Sequence, residues 1–173
     1  RELVALARTK PGAINFASSG SGSTAHLSSE LFKSMTRIDI VHVPYKGAGP
    51  ALTDLVGGQV QIMFTGISST LPYVRAGRLK PLAVSSEKRV PILPEVPAVN
   101  EEIAGYEVNT WYGVFAPTQL PKSIITKLNL TLAKLFGTPD ARQRLAALGA
   151  EPVTMSPEKF ALAVRKEKEK WAK

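Results

Sequence analysis

The densest group of small polar residues in the chain is Ser18-Ser19-Gly20-Ser21-Gly22-Ser23-Thr24, followed by Ala25 and His26. An apolar run, Ile14 to Ala17, precedes it, and Leu27, Leu31, Phe32 and Met35 follow at helical spacing. The order strand, small-residue loop, helix start leaves the first amides of a helix without partners inside that helix. Such amides attract anions, and the helix dipole adds partial positive charge at the same place. Glycines admit close approach to the backbone, and serines supply hydroxyl donors. The chemistry expected of this segment is recognition of a small anion. A plainer reading stands beside it, in which Ser23 or Thr24 only caps the helix. The spacing is not that of a P-loop, since the G-x-x-x-x-G-K-[ST] pattern is absent. Nor is it the dinucleotide fingerprint, because no third glycine follows Gly20 and Gly22.

Other reactive side chains form no catalytic set. Glu30, Asp39 and Asp54 make no carboxylate pair suited to acid–base work, and Ser21 lacks the context of a nucleophile elbow. His26 falls on the first turn of a helix, where positive charge is disfavoured, so a structural hydrogen bond is expected of it. His42 sits in a strand-like run and reads as a satisfied core histidine. Two histidines without flanking acids predict no metal site, and no cofactor is expected. Lys46 could attract an anion or lay its stem along the rim. Trp111 and Tyr112 could wall a cleft, but in a long strand they would face the core.

The surrounding segments alternate. Residues 1–9 suggest a helix, 14–17 a strand, 24–35 a helix, 37–43 a strand, and a helix beginning at Pro50 closes at Gly57-Gly58. A strand over 60–64, a turn over 65–69, a helix over 70–76 and a strand over 79–84 complete the first 86 residues. Strands alternating with helices predict a parallel sheet covered by helices. Ligands gather at the carboxyl ends of such strands. Three loops share that edge: 18–24, 44–49 and 65–69. Beyond a proline-rich stretch (90–97), a short helix to Ile103 and a long strand over 106–116 are expected. Three amphipathic helices then fill 118–173, two of them opened by Thr138-Pro139-Asp140 and Ser156-Pro157-Glu158.

The chain has 173 residues, 44% of them hydrophobic, and no cysteine. Disulfides, thiol catalysis and cysteine-based metal sites are excluded. No apolar run approaches the roughly 18 residues of a membrane span. The formal charge is +8, but the basic residues are scattered. The run 165–170 alternates in sign as a solvated helix face does, so nucleic acid is not an expected partner. Arg1-Glu2-Leu3-Val4 reads as the middle of a helix, which suggests a chain taken from a longer protein.

Two phrases carry a resemblance when read together: 14–27 (INFASSGSGSTAHL) and 41–47 (VHVPYKG). With 51–55 (ALTDL), 58–60 (GQV), 82–89 (LAVSSEKR) and 145–152 (LAALGAEP), the whole chain resembles the substrate-binding proteins of tripartite tricarboxylate transporters, the Bug family. The resemblance implies an α/β fold of the type II periplasmic-binding-protein kind. Two lobes with mixed, mostly parallel sheets and flanking helices would close over a cleft, with one lobe incomplete here. It implies a second lobe over 1–108, a hinge strand over 109–117, and the C-terminal helical part of the first lobe over 118–173.

The implied activity is non-enzymatic. A periplasmic receptor would bind a small carboxylate and deliver it to membrane permease subunits. The ligand-binding residues carried over are Ser18, Ser19, Gly20, Ser21, Gly22, Ser23, Thr24, His26, Tyr45, Gly47, Phe64, Thr65 and Gly66. Where many members have an acid or amide after the third-strand Phe, this chain has Thr65, at the position expected to meet the ligand's variable end. Self-association is a further expectation, because the helical segment's stripes would otherwise be exposed. Two rival functions are an enzyme using the glycine-serine loop and the effector-sensing domain of a transcriptional regulator.

Overall fold

A computed structural model describes residues 1–172. The chain divides into two compact units, Arg1–Trp111 and Tyr112–Lys173.

In the first unit, helix α1 (Glu2–Thr9) leads to β1 (Asn15–Ser18), then α2 (Thr24–Thr36), β2 (Val41–Pro44), α3 (Ala48–Val56), β3 (Ile62–Met63) and α4 (Ile67–Arg75). The sheet is parallel in the order β2-β1-β3. Asn15 pairs with Val41 and Ser18 with Pro44 on one side of β1, and Phe16 pairs with Ile62 on the other. Central β1 is buried on both faces, with Phe16 and Ala17 fully inaccessible. That burial is why 14–17 reads as a continuous apolar run rather than an alternating one. Ala17, Ala51 and Val60 form one core cluster, joined by Val43, Leu55 and Met63. Leu71, Val84, Leu93, Val96 and Ala98 form another, under the proline-rich segment.

Local signals explain the boundaries. Ser23 caps α2, its Oγ accepting the His26 amide at 3.3 Å. Arg37 ends the same helix in the left-handed region at φ 53°. That conformation keeps 37–40 out of the ladder, so β2 begins only at Val41 instead of spanning 37–43. The third strand shortens to two residues. Helix α3 begins at Ala48, with Pro50 inside its first turn rather than at its first position, and α4 begins at Ile67 rather than near Thr70.

Two expected strands do not form. Across 79–84 only Val84 pairs, in a single parallel bridge to Ala98, with its amide on the Pro97 carbonyl at 2.9 Å. Residues 106–116 run without strand pairing. Only their start is anchored: Tyr106 and Val108 are buried, and the Val108 amide donates to Ser85 O at 2.9 Å. Trp111 and Tyr112 do not face a core, and Tyr112 is 95% exposed. Branched and aromatic residues suit a pleated surface, but a strand exists only where a neighbour accepts its ladder. The short helix expected from Pro97 is one 3-10 turn, Val99–Glu101. Glu101 fastens it, receiving two bonds from Arg89 (2.7 and 2.8 Å) and one from the Ala98 amide (2.9 Å). These donors pull the Glu101 carboxyl down to about 2.

The second unit holds α5 (Lys122–Gly137), α6 (Pro139–Ala147) and α7 (Pro157–Trp171). Thr138 Oγ1 accepts the Ala141 amide and Ser156 Oγ the Lys159 amide, both at 3.3 Å, as the two S/T-P-D/E openings predict. Asn129 Nδ2 ties α5 to the Met155 carbonyl at 2.9 Å. No described side chain of this unit is fully buried. Ile124, Leu128, Leu130 and Leu135 of α5 are each at least 44% exposed. Removing either cap, by Thr138→Ala or Ser156→Ala, is expected to lower stability by about 1 kcal/mol, read in a thermal melt of helicity.

Candidate functional site

Parallel pairing places the carboxyl ends of all three strands on one edge. Because β1 is central, its loop (19–23) lies between the loop after β2 and the residues that follow β3. Backbone bonds tie the first two loops together. Ser18 O accepts the Tyr45 amide at 3.0 Å, and Ser19 O accepts the Gly47 amide at 3.2 Å. Gly20 takes φ 132° and Gly22 φ 77°, conformations that side chains resist. The backbone at Gly20 also passes close under Tyr45, whose carbonyl would lie 3.4 Å from an added Cβ.

The loop's own donors divide into two groups. The Gly20 amide donates to Ser18 Oγ at 3.2 Å. The Gly22 amide donates to His26 Nδ1 at 3.1 Å, and Ser23 N–H to Gly20 O at 3.2 Å. The His26 amide is held by the Ser23 cap. Among the described residues, the amides of Ser21, Thr24 and Ala25 have no acceptor within the protein. The available donors thus shift from the glycines to Ser21 and the first two helical residues. The glycines build the loop, and their neighbours keep free donors.

The two histidines belong to this loop. Their rings stack at 4.1 Å between centroids and 18° between planes, and the His42 ring also stacks on Phe16 at 4.8 Å. His42 Nε2 lies 2.6 Å from the buried Ser18 Oγ. Burial, then the neighbouring His26, hold the His42 ring below the ordinary imidazole value, with Glu30 acting in the opposite direction. The structural hydrogen bond expected of His26 is the one from Gly22. Reading His42 as a satisfied core residue missed its partners. They lie 24 and 16 residues away in sequence, and the β1–β2 register, which sets Phe16 beside His42, brings them together.

The remaining candidates split between rim and support. Tyr45 turns its hydroxyl to Asp54 Oδ2 at 2.7 Å, bracing the second loop against α3, and that bond raises the phenol's pKa, disfavouring its ionisation. Gly47, at φ 118°, is the N-cap of α3. Phe64 packs into an aromatic group with Phe32 (5.8 Å) and Tyr106 (6.0 Å). Thr65 is half-buried and Gly66 exposed at the third loop. The Gly66 carbonyl accepts the Ser69 hydroxyl at 2.8 Å. Lys46 is exposed. Among the described residues no His, Asp and Glu cluster could hold a metal.

A parallel α/β unit with glycine-serine, tyrosine-glycine and threonine-glycine loops on its carboxyl edge has the architecture of a periplasmic binding protein. The sequence profile of the tripartite tricarboxylate transporter family receptor matches residues 1–173, and the chain belongs to that family. Among curated relatives, it is 39% identical over 174 residues to the UPF0065 protein of the tcbD-tcbE intergenic region of Pseudomonas sp., covering 99% of this chain and 52% of that protein. Protein BugT of Bordetella pertussis is 35% identical over 173 residues, covering 98% of this chain and 52% of BugT. The chain spans about half the length of these relatives.

Solved structures agree in fold. R. palustris Rpa4515 with adipate superposes with a TM-score of 0.94 at 39% identity, over 99% of this chain and 57% of that one. MatC from Rhodopseudomonas palustris with bound malate gives 0.85 at 33% identity, over 98% and 59%.

Proposed function

We propose that this chain supplies one wall of the ligand cleft of an extracytoplasmic solute receptor. The receptor binds a small carboxylate without transforming it and passes it to tripartite permease subunits, and it works in the periplasm. In this reading residues 1–108 serve as the second lobe, 109–117 as a hinge segment and 118–173 as the helical part of the first lobe. The observation that carries it is the set of acceptor-free amides at Ser21, Thr24 and Ala25, at the end of the central strand. The adipate and malate in the two R. palustris structures support a carboxylate as the anion.

Hydrogen bonds to a charged group contribute about 1.5–3 kcal/mol each. Three of them, less ordering costs, are compatible with micromolar affinity, about −8 kcal/mol. Thr65 and Gly66, across β1 from the Tyr45 loop, stand where the far end of a dicarboxylate would be read.

Calorimetric titration of the intact protein with adipate and with malate tests the reading. Micromolar binding of a dicarboxylate, returned chemically unchanged, is the expected outcome. Heat indistinguishable from dilution for all short dicarboxylates, or turnover of any of them, overturns it.

A further inference from the structure

The stack of His26 on His42 does work that a simple anion loop does not require. We propose that His26 is a positioning residue whose unprotonated Nδ1 holds the Gly22 amide, so that the Ser18–Ser23 loop keeps its anion-receiving shape only while the stacked histidine pair is uncharged. This rests on the reading of that loop as the carboxylate site.

The argument is geometric. A Gly22 N–H at 3.1 Å from Nδ1 needs a lone pair there, so the ring carries its proton on Nε2. Adding a second proton sets N–H against N–H, and the bond is lost. Gly22 then has no tether at φ 77°, and the free amides of Ser21 and Thr24 on either side of it lose their fixed spacing.

The groups around the pair act in both directions. His26 lies in the first turn of α2, where the helix dipole disfavours a cation. A charged His42 ring 4.1 Å away would repel it. Of the charged groups on α2 that face the pair, Glu30 Oε1 stands 3.9 Å from His26 Nε2 and favours the cation. Lys33, bonded to Glu30 at 3.3 Å and lying over the Phe16 ring, offsets it. From the sheet the pair meets the Phe16 ring and the Ser18 hydroxyl, neither of them charged. The loop is therefore a pH-responsive element, held while the ring is neutral and released once it is charged.

Two variants separate positioning from packing. His26→Asn places Oδ1 where Nδ1 stood and keeps an acceptor that does not titrate. His26→Phe keeps a ring on His42 and removes the acceptor. Nuclear magnetic resonance of the intact protein between about pH 8 and pH 5.5 follows the Gly22 amide and the imidazole ring protons. In the wild type the Gly22 amide is expected to move with the His26 ring. In His26→Asn it stays still, and in His26→Phe it lies at the acid position throughout.

Adipate titration of the intact protein at neutral pH is expected to give an affinity lower by roughly fivefold for His26→Phe than for the wild type, with His26→Asn rescuing part of that loss. The ligand's own ionisation is common to all three proteins. A Gly22 amide indifferent to His26 titration overturns the proposal, and so do equal affinities of wild type and His26→Phe. If none of the three binds adipate, it is the carboxylate reading that falls, and the amide titration alone then decides the role of His26.

Discussion

Tyr106→Ala is expected to destabilise the Arg1–Trp111 unit by about 3–5 kcal/mol, the range for truncating a buried aromatic. Tyr106 is fully buried, and its ring meets Phe32 edge-on at 6.2 Å and Phe64 at 6.0 Å. Its hydroxyl donates to the Ser28 carbonyl of α2 at 3.0 Å. One side chain thus joins the segment after the 3-10 turn to α2 and to the residue leading into the third loop. Truncation leaves a cavity among three elements, which a rigid core refills only in part. Tyr106→Phe separates the ring from its hydroxyl and should lose about 1 kcal/mol, the net worth of one hydrogen bond. Urea denaturation read by tryptophan fluorescence and by far-ultraviolet dichroism measures both. An Ala variant no weaker than the Phe variant would show that the aromatic group does not hold the unit together.

The second large effect concerns function. Gly20→Val should abolish measurable carboxylate binding while leaving a folded protein. At φ 132° an L residue is strained by about 1–3 kcal/mol, and the new Cβ meets the Tyr45 carbonyl at 3.4 Å. Relief requires turning the Gly20 peptide. That movement breaks its amide bond to Ser18 Oγ and the bond its carbonyl accepts from Ser23. Both hold the loop in the shape that leaves the Ser21, Thr24 and Ala25 amides free. Gly49→Ala is the control: it lies within α3 with open space around it, and alanine favours helix there by up to about 1 kcal/mol. Calorimetry with adipate should find the control unchanged and the Val variant silent. Retained micromolar binding in Gly20→Val would remove the loop from the site.

The sequence by itself determined the elements whose causes are local. The apolar run before Ser18, the helical spacing of Leu27, Leu31, Phe32 and Met35, the Ser23 cap and the two S/T-P-D/E openings each act within a few residues. They stand in the structure where they were read. Alternation of strands and helices was enough to predict a parallel sheet and to point to its loop edge. Tertiary structure decided what depends on a partner far along the chain. Residues 79–84 and 106–116 have strand-forming side chains but no ladder to join, since only Val84 meets a neighbour. The division of loop amides between internal bonds and free donors could not be read from a string of serines and glycines. It depends on where the Ser18 hydroxyl and the His26 ring come to rest. The histidine pair depends on the register of β1 against β2 and on the first turn of α2 folding back over them. Local propensity acts over one or two turns of chain, whereas pairing, stacking and burial are settled only when distant segments compete for the same surface.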